Sequence, residues 1–201
     1  MIGIIDYGMG NLRSVQKALE LLGGETVITS DCDVLIACDG IILPGVGAFP
    51  DAIENLKSKK IDKAIEEIVK RNKPLLGICL GMQLFFDESD EIRICKGLGL
   101  IKGKITRIEG NVKIPHMGWN NLDIKSQCKI LEGVKDGSYA YFVHSYLAVD
   151  MDENNINAVT SYGSEIPAVV SKGNVFGTQF HPEKSGELGM KLLENFIKLS
   201  K

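Results

Sequence analysis

Short apolar runs alternate along this chain with stretches in which apolar residues recur every three or four positions. Ile2 to Ile5 reads as a strand, and after it Leu12, Val15, Ala18, Leu19 and Leu22 fall on one helical face. Ile41-Ile42-Leu43 is a second short strand pattern, and Ile61, Ala64, Ile65, Ile68 and Val69 repeat the helical spacing just before a strand at Pro74-Leu75-Leu76. Strand, helix and strand at these lengths predict βαβ units, hence an α/β fold with an open, mainly parallel twisted sheet flanked by helices. Between roughly Leu98 and Ser171 the pattern changes to short alternating strands with Gly and Asn turns. Ile101 to Ile108 and Ala140 to Val149 are among them, which predicts antiparallel pairs appended to the parallel sheet. Val175 to Phe180 reads as one more strand, and Leu188, Leu192, Leu193, Phe196 and Ile197 line the inner side of a last helix. No linker, repeat or low-complexity stretch interrupts residues 1–201, so one domain is expected.

The strand at Pro74 runs into Gly77-Ile78-Cys79-Leu80-Gly81 and then the helix-forming run Met82-Gln83-Leu84-Phe85-Phe86. A side chain raised on a sharp strand-to-helix turn leaves no room for Cβ atoms two residues to either side, which is the steric reason for Gly77 and Gly81. The unpaired N–H groups of a helix start under the sulfur would favour a thiolate, the form that attacks carbonyls. Cys79 is therefore a candidate nucleophile rather than a packing cysteine.

A candidate base follows the strand at Val175. Of the three histidines, only His181 has an adjacent proline and a nearby carboxylate, in His181-Pro182-Glu183-Lys184-Ser185. Pro182 restricts the backbone of His181 to an extended form, and Glu183 can hold the imidazole in the tautomer that takes a proton from a thiol. A third segment, Pro44-Gly45-Val46-Gly47-Ala48-Phe49, opens from the strand at Ile41. The N–H groups of Val46 and Gly47, with that of Leu80, are candidate donors to an oxyanion. In an open α/β sheet these three turns emerge together at the carboxyl ends of the strands.

Composition narrows the reading. With 24% charged residues and a formal net charge of −3, the chain lacks polyelectrolyte character, and aromatic residues do not alternate with basic ones, against nucleic-acid binding. No apolar run approaches the ~20 residues of a membrane span. Met1 leads at once into a strand, so no signal peptide is expected and the predicted compartment is cytoplasmic. Five cysteines, an odd number, suit a reducing compartment. Cys32, Cys38, Cys95 and Cys128 show no metal-ligand spacing, so neither a metal nor a cofactor is expected. The acidic run Asp87-Glu88-Ser89-Asp90-Glu91 reads as a solvated surface loop without bearing on the active site.

Taken together, the residues resemble the class I (triad) glutamine amidotransferases along the whole chain. Gly77 to Gln83 and Gln179 to Ser185 mark that family. Tyr7 to Asn11, His116 to Asn120 and Tyr141 to Tyr146 are similar to its histidine-biosynthesis branch. The resemblance implies a flavodoxin-like fold and hydrolysis of glutamine to glutamate and ammonia by a triad of Cys79, His181 and Glu183. It implies substrate contacts at Gly47, Gln83, Ser145 and Tyr146. It also implies a heterodimer with a (β/α)8-barrel cyclase subunit that makes imidazole glycerol phosphate and AICAR from the channelled ammonia. The docking face would include Tyr7, Met9, Asn11, Met117, Trp119, Tyr141 and Lys184. The oxyanion strand at Val46 and Gly47 would rest in a nonproductive orientation, giving low activity to the isolated chain. Three other readings use the same residues: a paralogous ammonia donor to a sugar-modifying amidotransferase, a stand-alone γ-glutamyl cysteine hydrolase, and a noncatalytic binding module. The intact Cys79, His181 and Glu183 set argues against the last.

Overall fold

A computed structural model describes all of residues 1–201. Strand β1 (Ile2–Ile5), helix α1 (Leu12–Leu21), strand β2 (Thr26–Thr29), helix α2 (Cys32–Ala37) and strand β3 (Gly40–Gly45) form the first βαβ units. Helices α3 (Phe49–Ser58) and α4 (Ile61–Lys70) lead to strand β4 (Leu75–Cys79) and the one-turn helix α5 (Leu80–Gln83). Then come β5 (Glu88–Ser89), β6 (Cys95–Lys96), β7 (Lys104–Arg107), β8 (His116–Asn121), β9 (Asp123–Ile124), β10 (Tyr139–His144) and β11 (Tyr146–Val149). Strands β12 (Ile156–Tyr162), β13 (Ser164–Lys172) and β14 (Val175–Thr178) precede the closing helix α6 (Gly186–Leu199).

The main sheet has eight strands in the order β2-β1-β3-β4-β14-β13-β12-β9. Pairings from β2 through β14 are parallel, and those from β14 through β9 are antiparallel. Successive side chains of a strand point to opposite faces, and the core divides accordingly. Ile4, Ile42, Leu76 and Ile78 join α1 and α6 residues such as Leu19, Leu193 and Phe196 in one cluster. Ile5, Ile41, Leu43 and Leu75 join Leu35, Leu56, Ile65 and Ile68 of α2, α3 and α4 in the other. Each such side chain, fully buried, contributes about 1.5–3 kcal/mol, so the two helical layers hold the central strands from both faces.

The register sets Gly45 opposite Cys79 and Thr178 opposite Ile78, so β3, β4 and β14 end side by side. The structure departs from the sequence pattern in four places. The run Met82 to Phe86 does not continue as a helix, because the N–H groups of Leu98, Leu100 and Gly99 take the carbonyls of Leu84, Phe85 and Phe86. Ile101 to Ile108 is a strand only over Lys104–Arg107, after a bend at Gly103 with φ 133°. Ala140 to Val149 splits at Ser145 into β10 and β11, which belong to different sheets. Not all of the antiparallel region is appended to the main sheet: β10 pairs with β8 alone, and β11-β7-β5-β6 form a separate four-stranded sheet.

Gly81 is where the packing has least slack, since a Cβ there would overlap the backbone carbonyl of Leu43. Gly81→Ala is expected to destabilise the fold by about 3 kcal/mol, seen as a lower urea midpoint. An unchanged midpoint would contradict this account of the elbow.

Candidate active site

Cys79 ends β4 with φ 55° and ψ −112°, a backbone region that a side-chain-bearing residue occupies at a cost of about 1–3 kcal/mol. The surroundings enforce it. A Cβ on Gly77 would strike the Gly81 backbone, and one on Gly45 would lie 2.7 Å from the Tyr7 hydroxyl and 2.8 Å from the Gly81 amide. The strand-to-helix turn is thus a nucleophile elbow with the sulfur at its apex. Because α5 is a single turn, a long helix dipole is not what lies beneath the thiol. Its sulfur sits 3.8 Å from the Val143 carbonyl and 3.8 Å from Nε2 of Gln179.

His181 follows β14. Its amide donates to the Tyr141 carbonyl at 3.1 Å, and the Ser185 hydroxyl donates to the His181 carbonyl at 2.6 Å while accepting from the Tyr141 amide at 3.0 Å. The segment is therefore clamped to β10. Nδ1 of His181 lies 2.9 Å from Oε1 of Glu183, with the two side chains 3% and 1% exposed. The carboxylate only accepts, so Nδ1 carries the proton and Nε2 is left free for the thiol. Nε2 is buried and makes no hydrogen bond of accepted geometry, yet Cys79 is near enough to act on its charge. A contact that is loose before substrate arrives is ordinary for a catalytic pair. Burial alone would push the imidazolium down; the Cys79 sulfur and the Glu183 carboxylate outweigh it and raise the pKa from 6.5 to about 9. The associated stability is complete below pH 6.5 and is lost as pH rises through about 9.

Around this pair lie buried polar side chains. Gln83, which would be solvated on an ordinary helix, is 4% exposed, and its Nε2 donates to the Tyr146 carbonyl at 3.2 Å and to Oε1 of Gln179 at 2.9 Å. Ser145 is the break between β10 and β11, with its carbonyl accepting from the Ile108 amide at 2.9 Å. Leu80 is buried directly after the nucleophile, while Val46 and Gly47 are exposed at the end of β3, Gly47 with φ 98°. Gln179 escaped the sequence reading, although it lies within the same run as His181. Its signal was a polar residue inside an apolar strand pattern, and the structure buries it completely.

Two expectations are corrected. Tyr7, expected on a docking face, is 1% exposed and packs with its hydroxyl against Gly45. Burial and then the neighbouring Cys79 push its phenol well above the usual range, and the hydroxyl has no partner. Its ring goes inward because the Gly8 and Gly10 turn, both with positive φ, folds the segment back over the β3 end. Glu91, expected in a solvated loop, is half-buried, and its carboxylate accepts from the Phe49 amide at 2.8 Å. The first N–H groups of a helix lack intrahelical partners, and α3 has no side-chain cap of its own. Burial raises the Glu91 pKa against this favourable bond.

The remaining docking candidates do reach the surface. Met117 and Trp119 on β8 are 63% and 57% exposed, with the indole edge-on to Tyr141 of β10. The Lys184 ammonium stands 5.9 Å above the Tyr141 ring. Met9 and Asn11 are half-exposed, Met9 against Gly47. A surface cavity of about 440 Å³ lies elsewhere, among Met1, Gly24, Asp39 and Ser200 at the opposite ends of the strands.

A cysteine on an elbow, a histidine held by a glutamate and a parallel sheet that gathers them at its carboxyl edge form the arrangement expected of a triad amidotransferase. The chain belongs to the glutamine amidotransferase class-I family, whose profile matches residues 3–199. It is 52% identical over 196 residues to the imidazole glycerol phosphate synthase subunit HisH of Bacillus cereus strain G9842, covering 98% of this chain and 93% of that one. To the protein of the same name from Methanocaldococcus jannaschii it is 55% identical over 199 residues, covering 99% and 100%. Among solved structures, a glutamine amidotransferase superposes with a TM-score of 0.78 at 20% identity, covering 99% of this chain and 98% of that one. PurLQS from Thermotoga maritima gives 0.76 at 24%, covering 100% and 98%, so these likenesses speak to the fold.

Replacing Cys79 by Ala removes the first of the two groups that hold the His181 proton. The titration of His181, followed by proton NMR, is expected to fall from about 9, and a midpoint that stays there would refute the pairing. Glu91→Ala leaves the start of α3 without its acceptor and is expected to cost about 1 kcal/mol in thermal or urea unfolding. No loss would show that water replaces the carboxylate without cost.

Proposed function

We propose that the chain is the glutaminase subunit of an imidazole glycerol phosphate synthase, supplying ammonia for histidine biosynthesis. The observation that carries this reading is identity above 50% along essentially the full length of relatives so named. The placement of Cys79 beside His181 and Glu183 supplies the chemistry. Cys79 sulfur attacks the side-chain carbonyl carbon of glutamine, and the oxyanion is met by N–H groups around Val46, Gly47 and Leu80. His181 gives its proton to the departing nitrogen, and ammonia leaves a γ-glutamyl thioester on Cys79. With Nε2 now unprotonated, His181 takes a proton from water as the water attacks the thioester carbonyl; glutamate and the thiol are released. Glu183 keeps the imidazole oriented and balances its charge through both halves. Gln83, Ser145 and Tyr146 hold the amino-acid end of the substrate.

The partner is a (β/α)8-barrel cyclase subunit, which turns the ammonia and a phosphoribosyl formimino ribonucleotide into imidazole glycerol phosphate and AICAR. Ammonia is mostly protonated and unreactive at neutral pH, so delivery through a closed passage favours the neutral form. An exposed tryptophan beside an exposed methionine, with Tyr141 and Lys184 alongside, suits an interface anchor. Met9 and Asn11 belong to the same face. Control of the oxyanion strand by the partner accounts for low activity in the isolated chain.

Glutamate release from glutamine, measured for the chain with the cyclase of the same organism, is expected to rise strongly when the ribonucleotide is added. Cys79→Ala is expected to reduce it by about ten-thousandfold or more. Equal turnover by the chain alone would instead support a stand-alone γ-glutamyl hydrolase.

A further inference from the structure

Two of the three histidines take no part in this chemistry, yet both are buried, His116 to 3% and His144 to 6% exposure. They lie opposite each other on β8 and β10. Nδ1 of His116 is 3.0 Å from Nε2 of His144, and Nδ1 of His144 is 2.8 Å from the Tyr146 carbonyl oxygen. At the other end, Nδ2 of Asn120 is 3.3 Å from Nε2 of His116.

The donors and acceptors can be assigned without ambiguity. A carbonyl only accepts, so His144 carries its proton on Nδ1 and accepts at Nε2. His116 must then donate from Nδ1, which leaves its Nε2 to accept from Asn120. The amide of Asn120 is oriented independently: its oxygen accepts from the Asn121 amide at 2.9 Å and its nitrogen donates to the Ser161 carbonyl at 3.0 Å. Every polar atom of both rings is satisfied, and only while both rings are neutral. One further proton would set N–H against N–H, across 3.0 Å if taken by His144 or against the Asn120 amide across 3.3 Å if taken by His116. Burial lowers both pKa values, that of His144 to about 4. The His116 ring is stacked between Phe142 at 4.8 Å and Tyr162 at 4.0 Å, so it cannot turn away from its partners.

The far end of this chain is the substrate pocket. The Tyr146 carbonyl that receives His144 also receives Gln83, so both of its lone pairs are engaged. Gln83 continues to Gln179, and Gln179 to the Cys79 sulfur. We propose that His116 and His144 are positioning residues, an uncharged imidazole pair that transmits the geometry of β8 to the Tyr146 carbonyl and through it to Gln83, fixing the shape of the glutamine pocket. This rests on reading the Cys79 site as a glutaminase. Met117 and Trp119, exposed on the same strand β8, are tied to His116 by the strand backbone, and from His116 onward the link to Tyr146 runs through hydrogen bonds.

The test uses the full chain in complex with its cyclase and ligand. His116→Phe keeps a flat ring between Phe142 and Tyr162 but has no N–H for His144. The expected result is a KM for glutamine raised about tenfold, with kcat within about twofold. His116→Asn, whose amide nitrogen can take the place of Nδ1, should recover most of the affinity. Unchanged KM in His116→Phe, or equal loss in both variants, would overturn the proposal. If the unaltered complex releases no glutamate, the glutaminase reading fails instead. The pair is then judged by imidazole nitrogen NMR on the chain at pH 7. Neutral Nδ1–H tautomers in both rings support it, and an Nε2–H tautomer or a charged ring in either position overturns it.

Discussion

Close backbone contact at the ends of three strands is the constraint on which the site depends. Gly45, Gly77 and Gly81 meet around Cys79 with no space for a Cβ, and the register of β3 and β4 brings Gly45 level with the sulfur-bearing residue. Cys79 accepts an unfavourable backbone conformation because the two helical layers hold β3, β4 and β14 in that register. The cost is local and the compensation is spread over the core. The same tightness that lifts the sulfur also carries the Leu80 amide to the turn where an oxyanion would form.

From this fixed point the site is assembled by clamps of decreasing rigidity. His181 is bound to β10 through Tyr141 and Ser185, and its ring to Glu183. Gln83 and Gln179 are buried and joined to each other. The Val46 and Gly47 segment, by contrast, is exposed, and the clearest restraint nearby is the Glu91 carboxylate on the first amide of α3. The buried, hydrogen-bonded groups around Cys79 and His181 thus contrast with an exposed segment at the end of β3.

The layered α/β fold was legible because buried strands and amphipathic helices write themselves as local periodicity, as in Ile41 to Leu43 and Ile61 to Val69. The turn at Cys79 and the His181-Pro182-Glu183 segment were legible because elbow sterics and proline leave fixed residues beside them. What escaped was either too short to show a period or depended on distant partners. Helix α2 is only six residues long, and its start is marked by Asp31 accepting from the amides of Asp33 and Val34. The stop after Gln83 comes from carbonyls taken by residues 98–101, which no local pattern announces. Tyr7 and Glu91 look like surface residues in sequence, because what draws them inward is a glycine turn in one case and a bare helix terminus in the other.

Residues 79 and 181 are separated by 102 positions, from the difference of their numbers, and Glu183 comes later still. During synthesis the cysteine emerges long before the histidine and glutamate that the folded chain sets beside it. A chain still on the ribosome, or one cut short before His181, therefore carries the cysteine without the Glu183-held imidazole. The capacity to consume glutamine is withheld until β14 has slotted in beside β4, so the last parallel pairing in the main sheet acts as a built-in check that the molecule has been completed.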